Sequence, residues 1–150
     1  MLDLASGCGC GCDCGEMLCT WARDLRCTGT GVDISTLFTE QAHARAVELD
    51  VTDRVRFVHG DASGHVTDEP ADRAACVGAT WIGNGVVGTT ELLALSLRPG
   101  GMIVIGEPYW RVIPPDKETA VACHATRVAT SGRCRGRSSS SANSGTTSCR

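Results

Sequence analysis

The order of apolar and helical stretches in this sequence predicts an α/β domain, an open parallel sheet of about five strands with flanking helices. Three observations carry that expectation. From Met1 to Pro108 strand signals alternate with helix signals, as in successive βαβ units. Asp3, Asp33 and Asp61 each close an apolar run, and they stand about a strand plus a helix apart. A glycine-rich stretch follows the first of these runs directly.

The elements follow in order. Strand one is Met1–Leu4, and the helix after the glycines runs from about Glu16 to Arg26, with Met17, Leu18, Trp21 and Leu25 at helical spacing. Strand two ends at Asp33-Ile34. Ser35 or Thr36 can cap the next helix, where Phe38, Ala42, Ala46 and Leu49 share a face. Val55–His59 is strand three and Ala74–Ala79 a short buried strand four. Leu92, Leu93, Leu95 and Leu97 make a further helical stripe stopped by Pro99-Gly100-Gly101, and Met102–Ile105 is an apolar strand five. Past Pro114-Pro115 the alternation stops. A weak helical stretch is expected around Lys117–His124, followed by Ser/Gly/Thr/Arg-rich sequence with almost nothing to bury. The expected organisation is a domain over 1–115 and a low-complexity, disordered tail over 116–150.

Composition narrows the function classes. The chain has 150 residues and a mean hydropathy of −0.02. Its apolar runs are too short for a membrane span, and Met1 stands within strand one, so a cytoplasmic location without membrane association is expected. All 17 acids lie at or before Glu118, and the last five arginines come after it. An acidic body speaks against nucleic-acid binding, and the arginine tail lacks interleaved aromatics. Ten cysteines invite a disulfide reading, but Cys8, Cys10, Cys12 and Cys14 alternate in one short run where neighbours are badly placed to bridge. Reduced thiols are expected.

Carboxylates lined along the carboxyl edge of a parallel sheet face the crevice where such sheets bind ligands. A nucleoside offers hydroxyls and an amino group to them. Asp33 at the end of strand two stands where a ribose diol is gripped, since a carboxylate accepts from both hydroxyls. The turn Ala5-Ser6-Gly7-Cys8-Gly9 permits close backbone approach and leaves free N–H groups at a helix start.

Asp3-Leu4-Ala5-Ser6-Gly7-Cys8-Gly9 resembles the D-x-G-x-G-x-G loop of class I S-adenosylmethionine-dependent methyltransferases. Gly31-Val32-Asp33 resembles that family's ribose-binding strand end, Gly60-Asp61-Ala62 its adenine-contact motif, and Leu97-Arg98-Pro99-Gly100-Gly101 its turn into strand five. The resemblance runs from Met1 to about Trp110. It implies a Rossmann-like sheet, S-adenosylmethionine as cofactor and methyl transfer to a small-molecule acceptor.

The family's site carries over onto matching residues. The resemblance implies that Asp3 braces the glycine loop and that Gly7, with Gly9 or Gly15, passes beneath the cofactor's amino-acid portion. Asp33 would hold the ribose, with Ile34 against the adenine, Asp61 accepting from its amino group and Ala62 donating a backbone N–H. Gly78-Ala79-Thr80-Trp81, after strand four, would border the methyl group. Trp81, Glu107, Tyr109 and Trp110 are the acceptor-side candidates, and the aromatic three have plain packing as their alternative. His59 is expected to be structural and His43 solvated.

The sequence departs from the family in three ways. Ala5 stands where the family has glycine. The loop carries surplus residues, and without Cys8–Asp13 it would have ordinary length. Both ends look cut: the C-terminal antiparallel strand pair is expected to be absent, which would leave strand five an exposed apolar edge.

Three rival readings stand beside the enzyme. One is a thiolate metal site at Cys8, Cys10, Cys12 and Cys14, although its spacing is tighter than zinc sites use. A second is a nicotinamide-dependent domain, which G-x-G-x-x-G spacing would mark and this loop lacks. The third is an inactive remnant. The surplus loop yields a test. Deleting Cys8–Asp13 should tighten cofactor binding measured by calorimetry, and an unchanged or weaker affinity would refute the reading.

Overall fold

In a computed structural model the described residues are 1–7, 14–107, 112–113 and 115–122. Cys8, Gly9, Cys10, Cys12, Tyr109 and Trp110 lie outside them, as does the tail after Ala122, so the expectations placed there stand as stated. The chain divides into two compact units, Met1–Pro108 and Tyr109–Arg150. The second contributes one described helix, Lys117–Ala122, within the stretch expected to be weakly helical.

The first unit runs β1 (Leu2–Leu4), α1 (Glu16–Leu25), β2 (Gly29–Asp33), α2 (Thr36–Glu48), β3 (Val55–His59), β4 (Ala71–Val77), α3 (Val86–Ala94) and β5 (Leu97–Gly106). All five strands are parallel, in the order β3-β2-β1-β4-β5. The chain steps outward from β1 to β3 and then crosses back to place β4 on the other side of β1. Strand order reverses there, and the carboxyl ends of β1, β2 and β4 open the crevice that such a reversal creates.

Helices cover both faces, which is why the central strands are buried on two sides and read as apolar runs. On one face Leu2, Leu4, Val32, Ala74 and Cys76 pack with Leu93 of α3. On the other, Leu18, Cys19 and Ala22 of α1 meet Ala42 and Ala46 of α2 and Phe57 of β3. Ser35 caps α2 as expected, its Oγ accepting from the Phe38 amide at 3.3 Å. Among the described residues no helix is long and apolar enough to cross a membrane.

Three local expectations are corrected. The buried stripe of α1 is Leu18-Cys19-Ala22, while Leu25 is 63% exposed. Leu18, Cys19 and Ala22 take that face because they pack against Ala42 and Ala46 of α2 and Phe57 of β3. The helix α3 starts at Val86 and ends at Ala94, so Leu95 is 67% exposed and Leu97 already belongs to β5. Strand four begins at Ala71 rather than Ala74, because Ala71 pairs with Leu97 before a register shift to Arg73–Met102. The Pro99-Gly100-Gly101 turn is thus carried inside β5 as an irregularity, with Gly100 at φ +79°.

Two backbone positions fix the entry to α1. Gly15 precedes the helix at φ +72°, and a Cβ there would stand 2.7 Å from Ala42 Cβ and 2.8 Å from Phe57 Cζ. Ala5 occupies the same left-handed region at φ +57°. That conformation costs a residue with a Cβ about 1–2 kcal/mol, which explains why glycine is the commoner choice at this place. Gly15→Ala should lower stability by about 2–4 kcal/mol in urea unfolding, from strain plus overpacking. Ala5→Gly should raise it by about 0.5–1 kcal/mol, the strain relieved less the entropy given to the unfolded chain.

Candidate functional site

The crevice is built from the loops that leave β1, β2, β3 and β4. After Leu4 the chain turns at Ala5, and the Ser6 amide donates to the Val32 carbonyl at 3.2 Å, continuing the β1–β2 ladder by one bond. The Gly7 amide then donates to Asp33 Oδ2 at 2.8 Å. A side chain at Gly7 would collide with Phe38, its Cβ lying 2.4 Å from the Phe38 Cβ, so the loop rests directly on the start of α2. On the far flank the Gly15 amide donates to the Ser6 carbonyl at 3.1 Å and α1 begins.

The first residue of α1 is tied down as well. Arg45 of α2 grips the Glu16 carboxylate through Nε at 2.5 Å and a terminal nitrogen at 3.1 Å, and Thr20 Oγ1 donates to it at 2.7 Å. The Arg45 hydrogen bonds, ahead of the Thr20 bond, hold the Glu16 carboxyl below the usual range. An acid in the first turn also suits the helix dipole.

Asp33 is 6% exposed, and both of its oxygens are engaged. Oδ2 takes the Gly7 amide and Oδ1 takes the Ser35 amide, each at 2.8 Å. Each oxygen keeps a second lone pair, so this carboxylate positions two loops and retains capacity for hydroxyl donors. Beside it Ile34 turns outward, 71% exposed. The Ile34 carbonyl is held by His59 Nε2 at 2.9 Å and the Asp33 carbonyl by the Gly60 amide at 2.8 Å. His59 is therefore structural, as expected. His43 is exposed and sets its ring edge-on to Phe57 at 5.7 Å.

Asp3 departs from the expected picture of three carboxylates facing the crevice alike. It lies within β1, paired in register with Gly31 and Ala75, and is only 3% exposed. Burial first, and the charge of Asp33 second, push its pKa up to about 7. Among the described residues no hydrogen bond reaches its carboxyl group. Asp61, in contrast, is exposed, and its Oδ1 accepts from the Ser63 amide at 2.8 Å at the head of a short helical turn. That backbone bond lowers its pKa. Ala62 behind it is buried.

Beyond β4, Gly78 and Ala79 lead into another short turn, Thr80–Gly83. Ala79 is buried, and Trp81 is 52% exposed. The Thr80 hydroxyl donates to Glu107 Oε1 at the end of β5, and Thr89 Oγ1 of α3 donates to the Thr80 carbonyl at 2.8 Å. Thr80 lies in the stretch expected to border the methyl group, but its bond to Glu107 was not legible, because nothing local signals a partner 27 residues away. The structure thus brings Asp3, Gly7, Asp33 and Ile34 together, with Gly15 at the base of the loop. It puts Asp61 and Ala62 on the neighbouring strand end, and Ala79, Trp81 and Glu107 on the far side of the strand-order reversal.

The family model described as a methyltransferase domain matches residues 4–105, which include every strand end just described. The chain belongs to this methyltransferase domain family. A protein of Escherichia coli strain K12, YjhP, described as uncharacterized, is 59% identical over 123 residues, covering 82% of this chain and 47% of the relative. A crystal structure of a SAM-dependent methyltransferase from Geobacter sulfurreducens in complex with S-adenosyl-L-homocysteine is 64% identical. It has a TM-score of 0.71 and covers 83% of this chain and 47% of that one. One from Thiobacillus denitrificans, in complex with the same compound, is 59% identical with TM-score 0.71, covering 83% and 48%. The methyltransferase domain chain therefore spans about half the length of these relatives.

Among the described residues no cluster of acids, histidines and cysteines has metal-site geometry. Cys19, Cys27 and Cys76 are free thiols, and the Cys14 thiol donates to Gln41 Oε1 at 3.1 Å.

Asp3 gives a stability prediction with a definite sign. Below about pH 4 an aspartate is protonated in the folded and unfolded chain alike. Between 3.8 and about 7 only the folded chain holds the proton, so this contribution to stability falls as pH rises and is lost above 7. The total is on the order of 4 kcal/mol. Asp3→Asn should remove it. The difference in unfolding free energy between the two proteins, measured in urea from pH 4 to 8, should shift toward the variant and level off near neutrality.

Proposed function

We propose that this chain binds S-adenosylmethionine along the carboxyl edge of its sheet and transfers the methyl group to a small-molecule acceptor. The observation that carries the reading is the joint between Gly7 and Asp33. It holds a glycine-rich backbone, a carboxylate with spare lone pairs and an exposed apolar side chain, Ile34, on one short stretch of sheet edge. Relatives with 59% and 64% identity were crystallised with the demethylated form of the same cofactor, which supports the choice of ligand.

Asp33 offers its remaining lone pairs to the ribose hydroxyls, in a position already fixed by two amides. Ile34 lies flat against the adenine. Asp61, kept ionised by the Ser63 amide, accepts from the exocyclic amino group, and Ala62 presents its backbone N–H. Gly7 lets the backbone pass beneath the amino-acid portion, Gly15 closes the loop onto α1, and Asp3 lies under it. Ala79 borders the reactive end.

A sulfonium supplies an electrophilic methyl group, so transfer is an in-line displacement and the protein's task is positioning. Trp81 and Glu107 stand on the acceptor side. The Thr80 hydroxyl occupies one oxygen of Glu107 and leaves the other to accept a proton or a hydrogen bond from the acceptor. The acidic body, net −8 through Glu118, favours a small acceptor over a nucleic acid, and a cytoplasmic site of action belongs to the same reading.

A calorimetric titration tests it. S-adenosylhomocysteine should bind while NAD does not, and Asp61→Ala should weaken binding about tenfold, one lost hydrogen bond to a charged group. Binding of NAD alone, or full affinity in the Asp61 variant, would overturn the assignment.

A further inference from the structure

Two carboxyl groups are buried at the base of this crevice, and they differ in what reaches them. Asp3 pairs in register with Gly31, and Asp33 stands two residues further along β2. Side chains alternate along a strand, so the two project from the same face as diagonal cross-strand neighbours. Asp33 receives two backbone amides. Those two bonds replace the hydration that Asp33 loses on burial. Asp3 receives none among the described residues and is 3% exposed. A carboxylate at Asp3, beside Asp33 and with no donor among the described residues, is disfavoured.

The surrounding elements do not relieve it. On β4 the nearest titratable group is Cys76, whose thiol burial and the Asp3 charge push up to about 12. On α1 they are Cys19, pushed up to about 11, and Glu16. The Arg45 cation of α2 is committed to Glu16 and Glu48, and Arg23 of α1 to Asp24. His43 of α2 sits against Phe57, and His59 of β3 is bonded to the Ile34 carbonyl. Among the described residues no cation forms an ion pair with Asp3 or Asp33.

We propose that Asp3 carries a proton in the ligand-free chain and gives it up to solvent when the ammonium group of the adenosyl ligand's amino-acid tail arrives. Binding and ionisation of one buried carboxyl are then the same event. The inference rests on the ligand assignment above. It adds that the empty chain holds a neutral acid at the loop base, and that the ligand's positive charge supplies the partner the fold withholds. The raised pKa of Asp3, about 7, places the exchange within the neutral range.

Proton linkage is measured by titrating the full chain with S-adenosylhomocysteine, whose ammonium supplies the charge. The titrations run from pH 5.5 to 8.5 in buffers of different ionisation heat. Affinity should rise roughly tenfold per pH unit up to about 7 and then flatten. About one proton should be released at pH 6 and almost none at pH 8.5. Asp3→Asn should bind more weakly with no slope and no released proton, and Asp3→Ser serves the same comparison if that variant fails to fold. Flat affinity with no proton exchange in the parent chain, or an unchanged slope in the variant, would overturn the linkage while leaving the ligand assignment standing. Absence of binding at every pH would instead overturn the assignment, and the linkage with it.

Discussion

One buried carboxylate joins the parts of this crevice. Asp33 takes the Gly7 amide on one oxygen and the Ser35 amide on the other, so a single side chain seats the β1–α1 loop and starts α2. Leaving either amide or the buried carboxyl oxygen it meets unpaired would cost about 1–3 kcal/mol. Main-chain bonds extend the same joint. The Asp33 carbonyl holds Gly60, and the Val32 carbonyl holds Ser6. Three strand ends are thus knitted at the edge where a ligand would lie, and the side chains there inherit their positions from backbone geometry.

Close approach is the second requirement, and small residues meet it. A Cβ at Gly7 would collide with Phe38, one at Gly31 would stand 2.7 Å from Phe57, and one at Gly15 would stand 2.7 Å from Ala42. The loop, β2 and the helix start therefore sit on the aromatic rings of α2 and β3 at contact distance. Asp3, paired with Gly31, is only 3% exposed, which makes its carboxyl group costly to ionise.

Much of this was legible in the residues. Val55–His59 and the cap at Ser35 follow from local pattern alone, and the order of four motifs pointed to the family. The failures share a physical origin. Met17, Leu18, Trp21 and Leu25 make a convincing amphipathic stripe, of which Leu18 is buried and Leu25 exposed; the face that docks is decided by what α2 and β3 leave room for, and Leu18, Cys19 and Ala22 fit. Leu95 and Leu97 continue the apolar spacing of α3, but the demand of β4 for a partner pulls Leu97 into β5. At the site, the three acids look equivalent as letters. Only tertiary structure separates a carboxyl buried within β1, a doubly bonded one and an exposed cap.

The surplus in the glycine loop is a question of where the chain closes, and the flanks answer it. The Gly15 amide meets the Ser6 carbonyl at 3.1 Å, so the two ends of the loop are joined by a hydrogen bond across the intervening residues. Gly15 holds the left-handed turn into α1 and lies against Ala42 and Phe57, while Gly7 is fixed to Asp33. Between those anchors, Cys14 is already seated through Gln41. A neck closed in this way makes the register of α1 independent of how many residues pass between Gly7 and Cys14, because the helix start is set by Gly15, Glu16 and Arg45. Gly15 meets Ala42 and Phe57 at the place beside the helix, and Gly9, which competes for it in the sequence, lies outside the described residues.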